Sequence, residues 1–179
     1  STYYTGKPQH ASTIAFGQSV DGTTVTFTYS DKVDGNYTSG VPTFTDAGTY
    51  TAYYKAEAAN HEPATGTFTV TIDPLPISLL SVSSISKTYD GSASVTLPKT
   101  NLAFLGAAGS MTPIPGSVYR ITDARFTTRQ DDSIYEDSPN AGTKEAISFT
   151  LTLTDSNYAF EGKAASVRSA NFNFTSKDD

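Results

Sequence analysis

The chain has no cysteine and no tryptophan, and only one methionine. Without cysteine it forms no disulfide and no thiolate metal site. Positive charge is also scarce: 12 Lys and Arg face 18 Asp and Glu, for a formal net charge of −6. Phosphate recognition and docking on an anionic bilayer both need clustered cations. Here the cations are scattered, so neither nucleic acid nor a membrane surface is expected as a partner. No apolar run reaches the ~20 residues that a membrane-spanning helix needs, and no signal-peptide pattern opens the chain. The only histidines are His10 and His61, both in turn-like surroundings. Nucleophile elbows, phosphate loops and His-Glu-x-x-His pairs are missing as well. This inventory yields no catalytic residue, no cofactor site and no metal site, and the chain is expected not to be an enzyme.

What is abundant points to strands. Threonine and serine make up about a quarter of the 179 residues, with 11 tyrosines and 10 phenylalanines. β-branched and aromatic side chains suit a pleated, half-buried surface, whereas good helix formers are sparse. Alternation is strict in several runs. Val25, Phe27 and Tyr29 share one face, as do Tyr50, Ala52, Tyr54 and Ala56, then Phe68, Val70 and Ile72, and later Ile147, Phe149, Leu151 and Leu153. Threonines and serines fill most of the opposite faces, which suits sheets with one dry and one wet side. Asp21-Gly22, Asp34-Gly35-Asn36, Asp90-Gly91, Ala141-Gly142 and Glu161-Gly162 supply turns between them. One helical turn is allowed for within Leu102–Gly109.

Two prolines in Asp73-Pro74-Leu75-Pro76 remove ladder donors and stiffen the chain. The expected layout is therefore a domain at 1–73, a proline-rich linker at 74–77 and a domain at 78–179. The halves read as diverged copies. Tyr4-Thr5-Gly6 matches Tyr89-Asp90-Gly91, and Asp46-Ala47-Gly48-Thr49 matches Asn140-Ala141-Gly142-Thr143. Asn60-His61 then matches Asn157-Tyr158, and Gly66 matches Gly162, all in one order.

Asp46-Ala47-Gly48-Thr49-Tyr50 resembles the Asp-x-Gly-x-Tyr signature of the tyrosine corner in immunoglobulin-like domains, where the tyrosine hydroxyl bonds back to the backbone. In the second half Lys144 stands where Tyr50 does. The first half, through Tyr4–Lys7, Val25–Ser30, Asp46–Tyr54 and Gly66–Ile72, resembles the MBG repeats of bacterial surface proteins. The second half, from Ser86–Gly91 to Asp155–Tyr158, resembles the related YDG repeats. The resemblance implies an all-β chain of two tandem immunoglobulin-like Greek-key β-sandwiches, extracellular and bacterial, with no catalytic residues to carry over. The lack of an inter-sheet disulfide agrees with that setting. Export signal and anchor are expected to lie outside the segment.

Asp46, Gly48, Tyr50, Tyr89, Asp90 and Gly91 are read as structural, with Tyr89 sharing strand parity with Ile85 and expected in the core of the second half beside Ile147, Phe149 and Leu151. Ligand contact is assigned to outward tyrosines: Tyr3 and Tyr53, each beside an inward Tyr4 or Tyr54, and Tyr37 and Tyr135 in loops. Such rings can stack on a sugar face or brace the sheet as cross-strand pairs. Asp31–Asn36 and Asp131–Asp137 collect carboxylates that suit Ca²⁺ or plain solvation, but neither has the alternating spacing of an EF-hand loop. Lys87 is the one lysine considered for a Lys–Asn isopeptide crosslink, with Asn157 or Asn171 as partner. The expected role is a stalk or spacer, with possible adhesion, in a surface-anchored protein whose partners are a host glycan or protein and neighbouring repeats. The chain itself is expected to be monomeric. The alternatives are a module that grips a host glycan or protein, and an accessory domain of a secreted carbohydrate-active enzyme.

Overall fold

The computed structural model describes residues 1–11, 19–106 and 114–175. The chain is all-β, and it divides into two compact units, Ser1–Pro74 and Leu75–Asp179.

In the first unit the alternating runs become β1 (Thr2–Tyr3), β2 (Thr26–Ser30), β3 (Gly48–Glu57) and β4 (Ala64–Asp73). They form one sheet in the order β1-β4-β3-β2, with β1 parallel to β4 and the other pairs antiparallel. The register pairs Tyr29 with Tyr54, Ala52 with Phe68 and Tyr50 with Val70, so the apolar set shares one face. Ala52, Val70 and Ile72 are buried there, Ile72 at 1% exposure. Burying one such side chain contributes about 1.5–3 kcal/mol. Tyr29 meets Phe68 edge-on with centroids 6.1 Å apart, and Phe44 stacks on Tyr50 at 4.2 Å. Gly66 faces Tyr54, and a Cβ there would collide with the phenol ring. The ring thus lies across the glycine. Among the described residues this unit has one sheet, with an isolated Gln9–Phe44 bridge beside it.

The second unit is a two-sheet sandwich. One sheet holds β5 (Leu75–Val82), β6 (Leu102–Gly106) and β10 (Tyr158–Phe160) in the order β10-β5-β6. The other holds β7 (Tyr119–Arg129), β8 (Tyr135–Asp137), β9 (Ala146–Leu153) and β11 (Ser169–Thr175) in the order β11-β9-β7-β8. Aromatic contacts join the sheets: Phe104 to Tyr119 at 5.2 Å and Phe160 to Phe172 at 6.1 Å. The core includes Ile147, Phe149, Leu151 and Leu153, as the alternation of β9 requires. A bulge between Thr122 and Arg125, with Asp123 at φ 54, reshapes β7 where Ser94 bridges Arg125.

Four details differ from the sequence expectations. Leu75–Ile77 open β5 instead of forming a linker, and Ile77 is 1% exposed. Leu75 N–H donates to Asn157 O, and Ile77 O accepts from Glu161 N–H. Bonding to the β10 side thus runs through residues 75 and 77, and the missing N–H of Pro76 removes neither bond. Leu102–Gly106 is strand, preceded by a short 3-10 turn at Lys99–Asn101, while 107–109 lie outside the described residues. Tyr89, expected in the core, is 64% exposed, because residues 83–90 form no strand and parity does not turn its ring inward. Ser148 lies on the face expected to be wet, yet it is buried with Thr127. Ser148 O–H donates to Asn173 Oδ1 at 2.6 Å, so Thr127 O–H must be the donor in the 2.9 Å Thr127–Ser148 contact. Paired hydroxyls are what make burial there affordable.

Candidate functional site

The two units repeat a local geometry that depends on backbone shape more than on residue identity. Gly6 has φ +76 and Gly91 φ +75, a region open mainly to glycine. In both turns the tyrosine two residues earlier reaches back: a Cβ on Gly6 would sit 3.7 Å from the Tyr4 oxygen, and one on Gly91 3.9 Å from that of Tyr89. Five residues beyond each tyrosine an isolated bridge forms, Gln9 with Phe44 and Ser94 with Arg125. Asp90 accepts the Ser92 N–H at 3.0 Å and the Lys87 ammonium at 2.7 Å, which together hold its carboxyl below the usual range.

The corner before the long hairpin also recurs. Tyr50 O–H donates to Asp46 O at 2.8 Å, as the Asp46-x-Gly48-x-Tyr50 pattern predicts. In the second unit the Lys144 ammonium donates to Asn140 O, again four residues back, and to Ser138 Oγ at 3.1 Å. A phenol and an ammonium serve the same backbone position. The sequence reading missed this, because it sought a tyrosine and not any long side chain ending in a donor.

The outward tyrosines do not form one group. Tyr3 is 50% exposed at the β1 edge beside Asp73, whereas Tyr53 pairs with Thr67. Six residues along β4 separate these rows, or about 20 Å. Tyr135 is half-buried on β8 in the second unit. Tyr37 and Tyr53 do come together. The Tyr29–Thr38 bridge sets Tyr37 opposite Ser30, and Ser30 pairs with Tyr53 on its other side. Tyr37 O–H is latched to Val33 O at 3.0 Å, and the Lys55 ammonium lies 5.1 Å from its ring centroid.

The remaining candidates are absorbed by their neighbours. In the Asp131–Asp137 stretch, Asp132 pairs with Arg129 and Asp137 with Arg125, each at 2.9 Å. Lys87 donates to Asp90 Oδ1, Ser92 O and Ser94 O at 2.6–2.7 Å, which occupies all three of its N–H groups. Neither Asn157 nor Asn171 is among those partners, and Asn171 Oδ1 accepts instead from Thr150. His61 sits 3.4 Å from Asp21. The Asp21 carboxylate is lowered to about 2 by the hydroxyls of Ser19 and Thr23 and the Thr23 N–H. Among the described residues no group of three or more His, Asp or Glu could hold a metal, and no helix is long and apolar enough to cross a membrane.

No family model, no curated protein and no solved structure matches the chain.

Proposed function

We propose that the chain is a pair of non-catalytic, immunoglobulin-like repeat modules of a bacterial cell-surface, adhesin-like protein, in which they act as stalk or spacer. The observation that carries this reading is the recurrence, in one chain, of the same glycine turn and the same four-residue corner in two all-β units. Such repetition suits a protein built by adding modules, where each unit contributes length and stability. The donor network of each corner stays within its own unit, as independent repeats require. Single-molecule stretching of the chain tests this: a stalk made of separate modules unfolds in two force peaks, one per unit. A single peak spanning the whole length would refute the modular reading. Antibody labelling of intact, unpermeabilised producing cells tests the surface location.

One observation favours a second role. Tyr37 and Tyr53 flank Ser30 with Lys55 nearby, which gives two aromatic faces and a cation on one patch of the first unit. Aromatic faces of this kind stack on the C–H side of a sugar ring. A glycan array comparing the chain with Tyr53→Ala separates the roles: loss of a signal supports glycan gripping, and no signal from either chain supports a plain spacer.

A further inference from the structure

The outer faces of the two units carry the same residue types and use them differently. In the second unit the hydroxyls of β9 are taken up by the neighbouring strand. Thr150 donates to Asn171 Oδ1 at 2.7 Å, Thr152 shares a 2.8 Å bond with Ser169, and Ser148 donates to Asn173 Oδ1 at 2.6 Å. In the first unit Thr28, Thr51, Thr65, Thr67 and Thr69 line the face opposite the buried Val70 and Ile72. Among the described residues none of these hydroxyls has a partner, so their hydrogen bonds go to whatever lies on the sheet.

Tyr53 and Lys55 stand in the middle of that face. Tyr53 is flanked by Ser30 and Thr67, and Lys55 by Thr28 and Thr65. Same-face neighbours on one strand lie about 7 Å apart. Tyr53 is half-buried, and among the described residues its hydroxyl makes no hydrogen bond and its ring meets no other ring. Tyr37 and Tyr53 therefore do not brace each other, although only β2 separates them. Lys55 is the only basic residue in β1–β4. Its ammonium lies 5.1 Å from the Tyr37 ring centroid but pairs with no carboxylate, not even Glu57 two residues along the strand. Lys87, Arg125 and Arg129, by contrast, each lie 2.7–2.9 Å from an aspartate.

We infer that this face binds a carboxylated pyranose, a uronic or sialic acid unit, with Tyr53 against the ring, Lys55 on the carboxylate, and Thr65 and Thr67 on the hydroxyls. The inference rests on the glycan-gripping role proposed for Tyr37 and Tyr53 and adds the charge of the sugar. A neutral sugar uses the tyrosine face and the threonines but leaves the ammonium without an anion. A carboxylate sits on the rim of the pyranose beside its apolar C–H face, and the sheet sets the cation beside the aromatic ring in the same way. An acidic peptide answers Lys55 but brings no flat C–H face for Tyr53.

The test titrates the full chain with two matched pairs, cellobiouronic acid against cellobiose and sialyllactose against lactose, followed by amide chemical shifts. Saturable shifts in β2–β4 are expected. At least one acidic sugar should bind about fivefold more tightly than its neutral partner, the worth of one hydrogen bond. That margin should shrink as salt is raised. Lys55→Met should remove the margin and leave the neutral sugar unchanged, whereas Lys55→Arg keeps it. Tyr53→Ala should abolish binding of both members, whereas Tyr53→Phe keeps the stack and most of the affinity. Equal binding of acidic and neutral members, or a margin that survives Lys55→Met, would overturn the inference and leave the glycan role standing. No saturable binding of any of the sugars, or binding that survives Tyr53→Ala, would overturn both. A capped tetraglutamate peptide that binds β2–β4 more tightly than the sugars would point to a protein partner and overturn the inference as well.

Discussion

Replacing Tyr50 with phenylalanine isolates the corner bond. The substitution keeps the ring, which stacks on Phe44 at 4.2 Å, and deletes only the O–H that donates to Asp46 O at 2.8 Å. Tyr50 is half-buried and Asp46 exposed, so water can reach the carbonyl left behind and no full desolvation penalty arises. The expected loss is the net value of one hydrogen bond, about 1 kcal/mol. In a unit of this size that corresponds to a fall of about 4–8 °C in its melting temperature. Tyr50→Ala removes the stack as well and should cost about 3 kcal/mol. Hydrogen exchange read strand by strand is the right assay, because the amides of β9 and β11 serve as an internal reference. Exchange should accelerate in β3 and β4 and stay unchanged in β9 and β11. Lys144→Met should give the mirror image, and Lys144→Tyr should hold stability near the wild-type value, since a phenol can serve Asn140 O as it serves Asp46 O. If Tyr50→Phe leaves β3–β4 exchange unchanged, or Lys144→Tyr is as damaging as Lys144→Met, the equivalence of the two corners is wrong.

Further outcomes follow from buried and turn positions. Gly91→Ala, at φ +75, should destabilise the second unit by about 1 kcal/mol in urea denaturation, and Gly6→Ala the first unit by a similar amount. Ser148→Ala should cost more than Thr127→Val. The first strands the buried Thr127 hydroxyl at about 1–3 kcal/mol, whereas the second removes a donor and leaves Ser148 its bond to Asn173. Leu151→Ala, at 0% exposure, should cost about 2–5 kcal/mol. Asp21 titrates near 2 when folded against an ordinary 3.8, so its contribution is complete above about pH 4 and is lost as pH falls toward 2. Asp21→Asn should therefore flatten that acid limb in a pH series of melting curves.

Most of the strand framework was legible because alternation is a local signal. Val70, Ile72, Phe149 and Leu151 are buried as their parity requires, and Tyr50 reaches the carbonyl that its motif specifies. Parity failed where no strand exists to enforce it. Tyr89 was placed inside by strand parity, but residues 83–90 form no strand, and the ring lies near Gly91 instead. Proline misled at Leu75–Ile77, where ladder bonds through flanking residues tolerate Pro76. The Tyr37–Tyr53 patch was only half visible. Tyr53 could be set outward from parity, but its neighbour depends on the Tyr29–Thr38 bridge, which no local pattern encodes.

The two units also show how one local geometry is built from different residues. The constraint at the corner is a backbone carbonyl at a fixed place, four residues before the side chain that serves it. A donor on an arm of sufficient reach meets that constraint, and a tyrosine meets it in one unit and a lysine in the other although no substitution scale pairs them. The glycine turn is the opposite case. Positive φ leaves almost no other residue available, and glycine stands there in both units, as Gly6 and Gly91. Between these extremes, the Asp90 carboxylate caps its turn by accepting the Ser92 N–H, whereas Thr5 places a hydroxyl near the Lys7 N–H at 3.3 Å. The two units therefore differ where the requirement is a single hydrogen bond and agree where it is a backbone dihedral. On the proposed repeat reading, a further unit of the same kind should keep a glycine two residues after an aromatic, and should be free to vary at the corner among side chains that end in a donor.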